Sequence, residues 1–328
     1  MAADDTGRTV KLGRRAVQFP SAELQVLEDC NHLLGDLAAL KRELQEKGYL
    51  FIRGFHDQEE VLAARQAVLE HIDSFGSTLN KQHPIREGVL RDGCGLGCVP
   101  LMEGKNDITH SELVLRVLEG KRPLKFFREF FKDEVKTFDY KWLRAMHHEG
   151  FTGVHVDNVY MSRGSADLLT LWTPMGDVTV EMGVLAVCEG SHRLPGFQKF
   201  QEKYGNMDAE KENLQGTGWF TEDPYEITSK FGGQWKTVDF SAGDVLIFGM
   251  RTAHMSTTNT THLARISCDT RWQPASEPVD PRFCGLIRVS DSKFGLLSKM
   301  TKEEKEEDRL RKERNTVSIE QLKAVWGL

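Results

Sequence analysis

The sequence predicts a mainly β protein with flanking helices, its core a double-stranded β-helix, the two-sheet jelly roll. Three observations carry this expectation. From Tyr140 onward, short runs of β-branched and aromatic residues are separated by Gly and Pro, which is how such a roll reads in sequence. Upstream, apolar residues recur at helical spacing and supply elements to flank the sheets. Residues 196–233 then form a long connection between two core strands, and loops of that length are commonly functional.

Taken in order, residues 1–20 show no periodicity and read as a mobile arm, polar at Asp4-Asp5-Thr6-Gly7-Arg8 and basic at Lys11-Leu12-Gly13-Arg14-Arg15. Residues 22–47 place Leu24, Leu27, Leu33, Leu37, Leu40 and Leu44 at helical spacing that stops at Gly48. Tyr49-Leu50-Phe51-Ile52 reads as a buried strand, and Asp57 with Glu60 three residues later is a capping-box arrangement opening another helix. A further helical region over residues 111–135 carries Phe126, Phe127, Phe130 and Phe131, a stripe that belongs to the core. Residues 21–290 are expected to form one domain with 196–233 as its lid, and residues 291–328 a charged C-terminal helical extension. Within that extension, residues 301–314 read as a solvated helix of charge pairs. Ile319, Leu322, Val325 and Trp326 make a short amphipathic piece that either docks back or bridges two chains of a homo-oligomer.

A net charge of −6 and a pI near 6.0 argue against bulk nucleic-acid affinity. No apolar run approaches the roughly 20 residues of a membrane-spanning helix, and Met1-Ala2-Ala3-Asp4-Asp5 is no secretory start. The expected partner is therefore a small molecule, not nucleic acid or membrane. Six cysteines scattered through the chain form no disulfide framework, so a reducing, cytoplasmic setting is expected. Cys94 and Cys98 are read as part of a flexible Gly-rich loop in preference to half a zinc site, because no second ligand pair sits at finger-like spacing.

The chemistry-bearing stretch is His155-Val156-Asp157. A His and an Asp two apart on an extended strand project to one face and can hold a metal from adjacent points. A strand-like run, Gly243-Asp244-Val245-Leu246-Ile247-Phe248, leads through Gly249 to His254, and Arg265 follows eleven residues later. Two neutral imidazoles and one carboxylate suit a divalent first-row metal and leave three cis positions open, as in non-haem Fe(II) oxygenases. A keto acid would fill two of them and O₂ the third, while the planar fork of Arg265 matches the far carboxylate of 2-oxoglutarate. Two alternatives stay open: a non-catalytic barrel that binds metal and ligand, and a cupin-like metalloenzyme using another metal.

Between the ligand segments lie Leu168-Leu169-Thr170-Leu171-Trp172-Thr173-Pro174, then Asp177 and Glu181 before Gly183-Val184-Leu185-Ala186-Val187, and then Gly190-Ser191-His192. From roughly Tyr49 to Arg271 the chain resembles the phytanoyl-CoA dioxygenase family, whose segments it matches in order: H-x-D, a Trp strand, an acidic turn into a G-x-L-x-V strand, G-S-H, G-D-V, a distal His and an Arg. The resemblance implies that His155, Asp157 and His254 are the iron ligands and Arg265 the 2-oxoglutarate anchor. It also implies that Ser256 and Trp172 line the cosubstrate pocket, joined by Thr170 on the same strand face. Arg271 competes for the anchor role, but the spacing of Arg265 from His254 fits the family and Ser267 follows it in an R-x-S pattern. Halogenating relatives replace the metal carboxylate by a small residue, so Asp157 favours hydroxylation or another oxidation over halogenation.

The implied activity is Fe(II)-, 2-oxoglutarate- and O₂-dependent hydroxylation of a small organic molecule or acyl derivative, with release of succinate and CO₂. Tyr160 and Arg144, close to the first ligand segment, are the substrate-side candidates, and His192 is expected to be structural. Lys11-Leu12 followed by Gln18-Phe19 resembles an N-terminal peroxisomal targeting nonapeptide, which adds a peroxisomal location as the second expectation.

Overall fold

The computed structural model describes residues 7–285 and 316–328. The chain opens with an antiparallel hairpin of β1 (Arg8–Leu12) and β2 (Arg15–Phe19), turning at Gly13. Gly13 has φ +59°, and a Cβ there would sit 2.3 Å from the Glu222 carbonyl oxygen. This corrects the expectation of a mobile arm. Val10 and Leu12 of β1 and Val17 and Phe19 of β2 alternate into the core, but Arg8 and Arg15 take the first position on the same face of each strand, and those charges masked the period-two signal. Leu12 and Phe19 of the suggested targeting peptide are buried in the domain.

The helix expected over residues 22–47 is also corrected. Leu24–Val26 is β3, a 3₁₀ turn covers Asn31–Leu33, and only Leu37–Lys47 is helix α1. Leu24 is drawn into a sheet, the Leu27 and Cys30 amides donate to Thr237 and Phe51 carbonyls, and Asp36 caps the true helix by accepting from the Ala39 amide. The helix stops at Gly48, φ +87°, where a Cβ would lie 2.6 Å from His192 Nδ1. Strand β4 (Tyr49–Ile52) is fully buried as expected, and helix α2 (Gln58–Ser74) is capped by Asp57 through the Glu59 and Glu60 amides. The next helical region is split into α3 (Glu112–Leu118) and α4 (Lys121–Phe131) at Gly120, which packs against the Arg116 carbonyl. Phe127 stacks on Trp272 at 4.8 Å, so the aromatic stripe is core.

Among the described residues, the remaining strands and α-helices are β5 (Val135–Thr137), β6 (Trp142–Met146), α5 (Asn158–Met161), β7 (Leu169–Pro174), β8 (Leu185–Glu189), α6 (Gln198–Glu202), α7 (Pro224–Phe231), β9 (Gln234–Thr237), β10 (Val245–Gly249), β11 (His254–Ser256), β12 (Arg265–Pro274) and α8 (Ile319–Trp326). One sheet has the order β4-β10-β7-β12-β5, with β6 also pairing β12; the other is β11-β8-β9-β3. Every pairing is antiparallel except β3 with β9. The two sheets enclose the main core, with Trp172, Val187, Phe240, Phe248 and Met255 in one cluster, while α1 and α4 cover the far face of the larger sheet. This is the expected jelly roll.

Residues 196–233 are well packed. Phe197, Phe200, Tyr204 and Phe220 are buried on one another, Tyr225 is exposed over Arg15, and of the aromatics noted in this segment only Trp219 reaches the central cavity. Helix α8 docks on this segment through Ile319, Leu322 and Trp326. The charged run 301–314 lies outside the described residues. Among the described residues, no helix is long and apolar enough to cross a membrane. Cys94 and Cys98, expected in a flexible loop, are joined as a disulfide, because turns at Arg91–Cys94 and Gly95–Cys98 bring their Cα atoms to 5.3 Å.

Candidate metal centre and cosubstrate pocket

The three donors predicted from sequence come together. One ligand atom from each of His155, Asp157 and His254 lies within 4.8 Å of the others, and all three residues are buried. His155 is paired with His254 in an isolated antiparallel bridge. Asp157 is not on an extended strand as expected: its φ −62°, ψ −27° is helical, and it heads the short helix α5. The chain turns between the two ligands, and the turn itself brings the carboxylate back toward the imidazoles. Asp157 Oδ1 lies 3.8 Å from His155 Nε2 and 3.7 Å from His254 Nε2.

Each donor is oriented from behind. His155 Nδ1 donates to the Gly153 carbonyl and His254 Nδ1 to the Thr252 carbonyl, both at 2.9 Å. A carbonyl can only accept, so the proton is on Nδ1 and the Nε2 lone pairs face the centre. Burial, helped by neighbouring His254, pushes the His155 imidazole down to about 3, which keeps it neutral and able to ligate. Burial alone would raise the Asp157 carboxyl, but Arg271 and the two imidazoles outweigh it and hold the group well below its ordinary value. A neutral N, neutral N, anionic O set is what a divalent first-row metal requires.

Strand β12 supplies the wall beside this centre. Arg265, Ser267, Asp269 and Arg271 alternate into a cavity of about 180 Å³, while Ile266, Cys268 and Trp272 point into the helix-covered core. Arg265 is 3% exposed, its Nη1 donates to Ser267 Oγ, and its Nε has no hydrogen-bond partner. Among the described residues it forms no ion pair. Burial, with repulsion from Arg144, lowers it to about 10. A buried guanidinium with an unsatisfied donor beside a metal-ligand set fits a dianionic keto acid, whose far carboxylate would be its counterion.

The other expected residues divide. Ser256 and Trp172 line the cavity, and Ser256 Oγ accepts from the Thr152 amide at 2.8 Å. Thr170 is absent from the lining; its hydroxyl donates to Asp157 Oδ2 at 2.6 Å. Arg271, the competing anchor, sits 3.2 Å from the same oxygen and over the Trp142 ring. Tyr160 lines the cavity and donates to the Thr217 carbonyl. Arg144 also lines it, held between Glu103 at 2.6 Å and Asp269 at 2.7 Å. His192 lies away from the centre and contacts the Gln45 carbonyl. Sequence reading did not find Glu103, Asp269, Trp142 or Phe283 in the cavity wall. The odd-numbered alternation along β12 could have found Asp269; the others arrive from separate segments.

The family model for Phytanoyl-CoA dioxygenase (PhyH) matches residues 44–267, more than half of the chain. The chain belongs to the phytanoyl-CoA dioxygenase family. As a member it is an Fe(II)- and 2-oxoglutarate-dependent oxygenase that uses O₂. Similar curated proteins include the 1-deoxypentalenic acid 11-beta-hydroxylases of Streptomyces exfoliatus and Streptomyces arenae. The first is 25% identical over 304 residues, covering 83% of this chain and 94% of the relative. Among solved structures, the epimerase SnoN in complex with Fe³⁺, alpha ketoglutarate and nogalamycin RO superposes with a TM-score of 0.51 at 19% identity, covering 75% of this chain and 87% of that one. That likeness establishes the shared fold. The relatives act on small molecules.

Proposed function

We propose that this phytanoyl-CoA dioxygenase family member hydroxylates a small organic molecule, with His155, Asp157 and His254 holding the iron and Arg265 the far carboxylate of 2-oxoglutarate. The observation that carries the reading is the conjunction of three converging donor atoms with a buried Arg265 that forms no ion pair among the described residues. When bound, Fe(II) with 2-oxoglutarate and O₂ supplies the oxidising chemistry: the keto acid goes to succinate and CO₂, and one oxygen atom enters a substrate C–H bond.

The chain's own residues position and exclude. The backbone carbonyls of Gly153 and Thr252 fix both imidazoles, Arg265 and Ser267 make the anion end of the pocket, and Ser256 and Trp172 flank it. Tyr140, Trp142, Trp219 and Phe283 give the outer cavity aromatic walls that limit water. Tyr160 and the Glu103–Arg144–Asp269 group are the polar features a substrate meets. The hydroxylase activity named for the Streptomyces relatives supports oxygen insertion over the other outcomes of this chemistry. The catalytic unit runs from the β1–β2 hairpin through β12.

The test is a screen of small-molecule extracts with Fe(II), 2-oxoglutarate and ¹⁸O₂. The expected result is succinate formed together with a product carrying one ¹⁸O atom. Substrate conversion that needs neither iron nor 2-oxoglutarate would overturn the reading.

A further inference from the structure

The Asp157 carboxylate has two distinguishable oxygens. Oδ1 is the atom 3.8 and 3.7 Å from the imidazole Nε2 atoms. Oδ2 faces the other way and meets two donors, the Thr170 hydroxyl at 2.6 Å and Arg271 Nη2 at 3.2 Å. Those donors are directly opposed across the sheet: Thr170 on β7 is the register partner of Arg271 on β12. Both residues are buried, at 1% and 2% exposure. Arg271 is itself confined, with its guanidinium carbon 4.5 Å from the centre of the Trp142 ring and its Nε 3.2 Å from Met161 Sδ.

Arg271 is the ion-pair partner of Asp157, yet a cation beside a metal ligand also works against metal binding, so charge alone does not explain the arrangement. Geometry does. We propose that Thr170 and Arg271 form a cross-strand clamp that occupies Asp157 Oδ2 and restricts the carboxylate to ligating through Oδ1 alone. A carboxylate with both oxygens free can take two metal positions; one held through Oδ2 takes one. The clamp therefore sets how many positions remain for the keto acid and O₂, and Thr170 and Arg271 are positioning residues that act through Asp157. Partners of this kind, behind a ligating group, commonly change affinity or activity by roughly 10–100-fold when removed. The clamp rests on the ligand assignment proposed above, and the experiment separates the two.

Fe(II)-loaded protein is titrated anaerobically with 2-oxoglutarate, following the visible metal-to-ligand charge-transfer band, for wild type, Thr170→Val, Thr170→Ser, Arg271→Met, Arg271→Lys and Asp157→Ala. Circular dichroism and thermal melts confirm folding. Thr170→Val is near-isosteric, so the test survives if the Arg271 variants do not fold. The clamp requires that Thr170→Val shift the band and weaken 2-oxoglutarate binding by roughly 10-fold. Thr170→Ser should restore both, and any folded Arg271→Met should behave like Thr170→Val. A folded Thr170→Val with the wild-type band and affinity overturns the clamp while leaving the ligand set standing, provided Asp157→Ala loses the band. A band retained in Asp157→Ala overturns the ligand set, and the clamp with it.

Discussion

His155 and His254 face one another across a single antiparallel bridge: each amide donates to the other's carbonyl, at 3.0 and 2.9 Å, and the imidazole centroids are 4.1 Å apart. The same extended segment is fastened on its other side to the lid region, where the Val154 amide donates to Thr221 O and the Phe220 amide to Val154 O. Two ligands distant in sequence thus share one rung, and the segment carrying Trp219 is tied to that rung.

Gly153 is the tightest point of this arrangement. Its carbonyl orients His155, and a Cβ there would lie 2.6 Å from Trp219 Cε3 and 2.9 Å from Thr221 O. Gly153→Ala is expected to cost about 1–3 kcal/mol through overpacking and to lower iron affinity by roughly 10-fold. Urea unfolding and iron titration measure both, and a variant matching wild type in each would show that the contact yields freely.

Arg265 gives a ligand-linked prediction. Losing it should cost 2-oxoglutarate about 2–5 kcal/mol of binding, as for other buried charge pairs. The apo protein is expected not to suffer, because Arg265 is buried and, among the described residues, forms no ion pair. In thermal melts with a redox-inert divalent metal, wild type should gain about 2.7 kcal/mol at a 100-fold excess of 2-oxoglutarate over Kd. Arg265→Met should gain less than about 1 kcal/mol at the same concentration, while matching wild type without ligand. Equal ligand stabilisation in both proteins would remove Arg265 as the anchor.

His56 sets an acid limit. It is buried against Thr173, and desolvation, with Arg122 nearby, lowers its imidazole to about 3. The unfolded chain binds a proton near pH 6.5 that the folded chain refuses, so this stability is whole above pH 6.5 and is lost as pH falls toward 3. From pH 7.5 to pH 5 the loss is about 2 kcal/mol. His56→Gln should show a correspondingly smaller drop by urea unfolding at the two pH values, and equal drops would contradict the assignment.

Helix α8 is expected to brace the lid region from its own chain. Val317 is bonded to the backbone of residues 213 and 215, and Lys323, 5% exposed, reaches Glu226 at 3.1 Å and lies 4.2 Å from the Phe220 ring centre. Leu322→Asp should undock the helix at a cost of about 1–3 kcal/mol. Limited proteolysis should then cut residues 213–222 faster while the charge-transfer band with 2-oxoglutarate persists. An unchanged cleavage pattern would mean that the lid holds without the helix.

Much of the site was legible because its residues announce their chemistry: two His, an Asp and an Arg at family spacing carry their roles whatever the local backbone does. The backbone was less legible. Leu24 and Leu27 fit a helix or a strand end, and a parallel partner far along the chain decided for the strand. The hairpin at Gly13 was hidden because Arg8 and Arg15 interrupt the apolar face of its two strands. That Thr170 stands opposite Arg271 and bonds the Asp157 carboxylate depends on the pairing of β7 with β12, which no single strand encodes.

The most direct test of the account is the anaerobic titration of Fe(II)-loaded protein with 2-oxoglutarate in His155→Ala, Asp157→Ala, His254→Ala and Arg265→Ala. The ligand assignment requires a charge-transfer band in wild type, its loss in the first three variants, and its survival in Arg265→Ala only at higher 2-oxoglutarate. A wild-type band in any of the three folded ligand variants would contradict it.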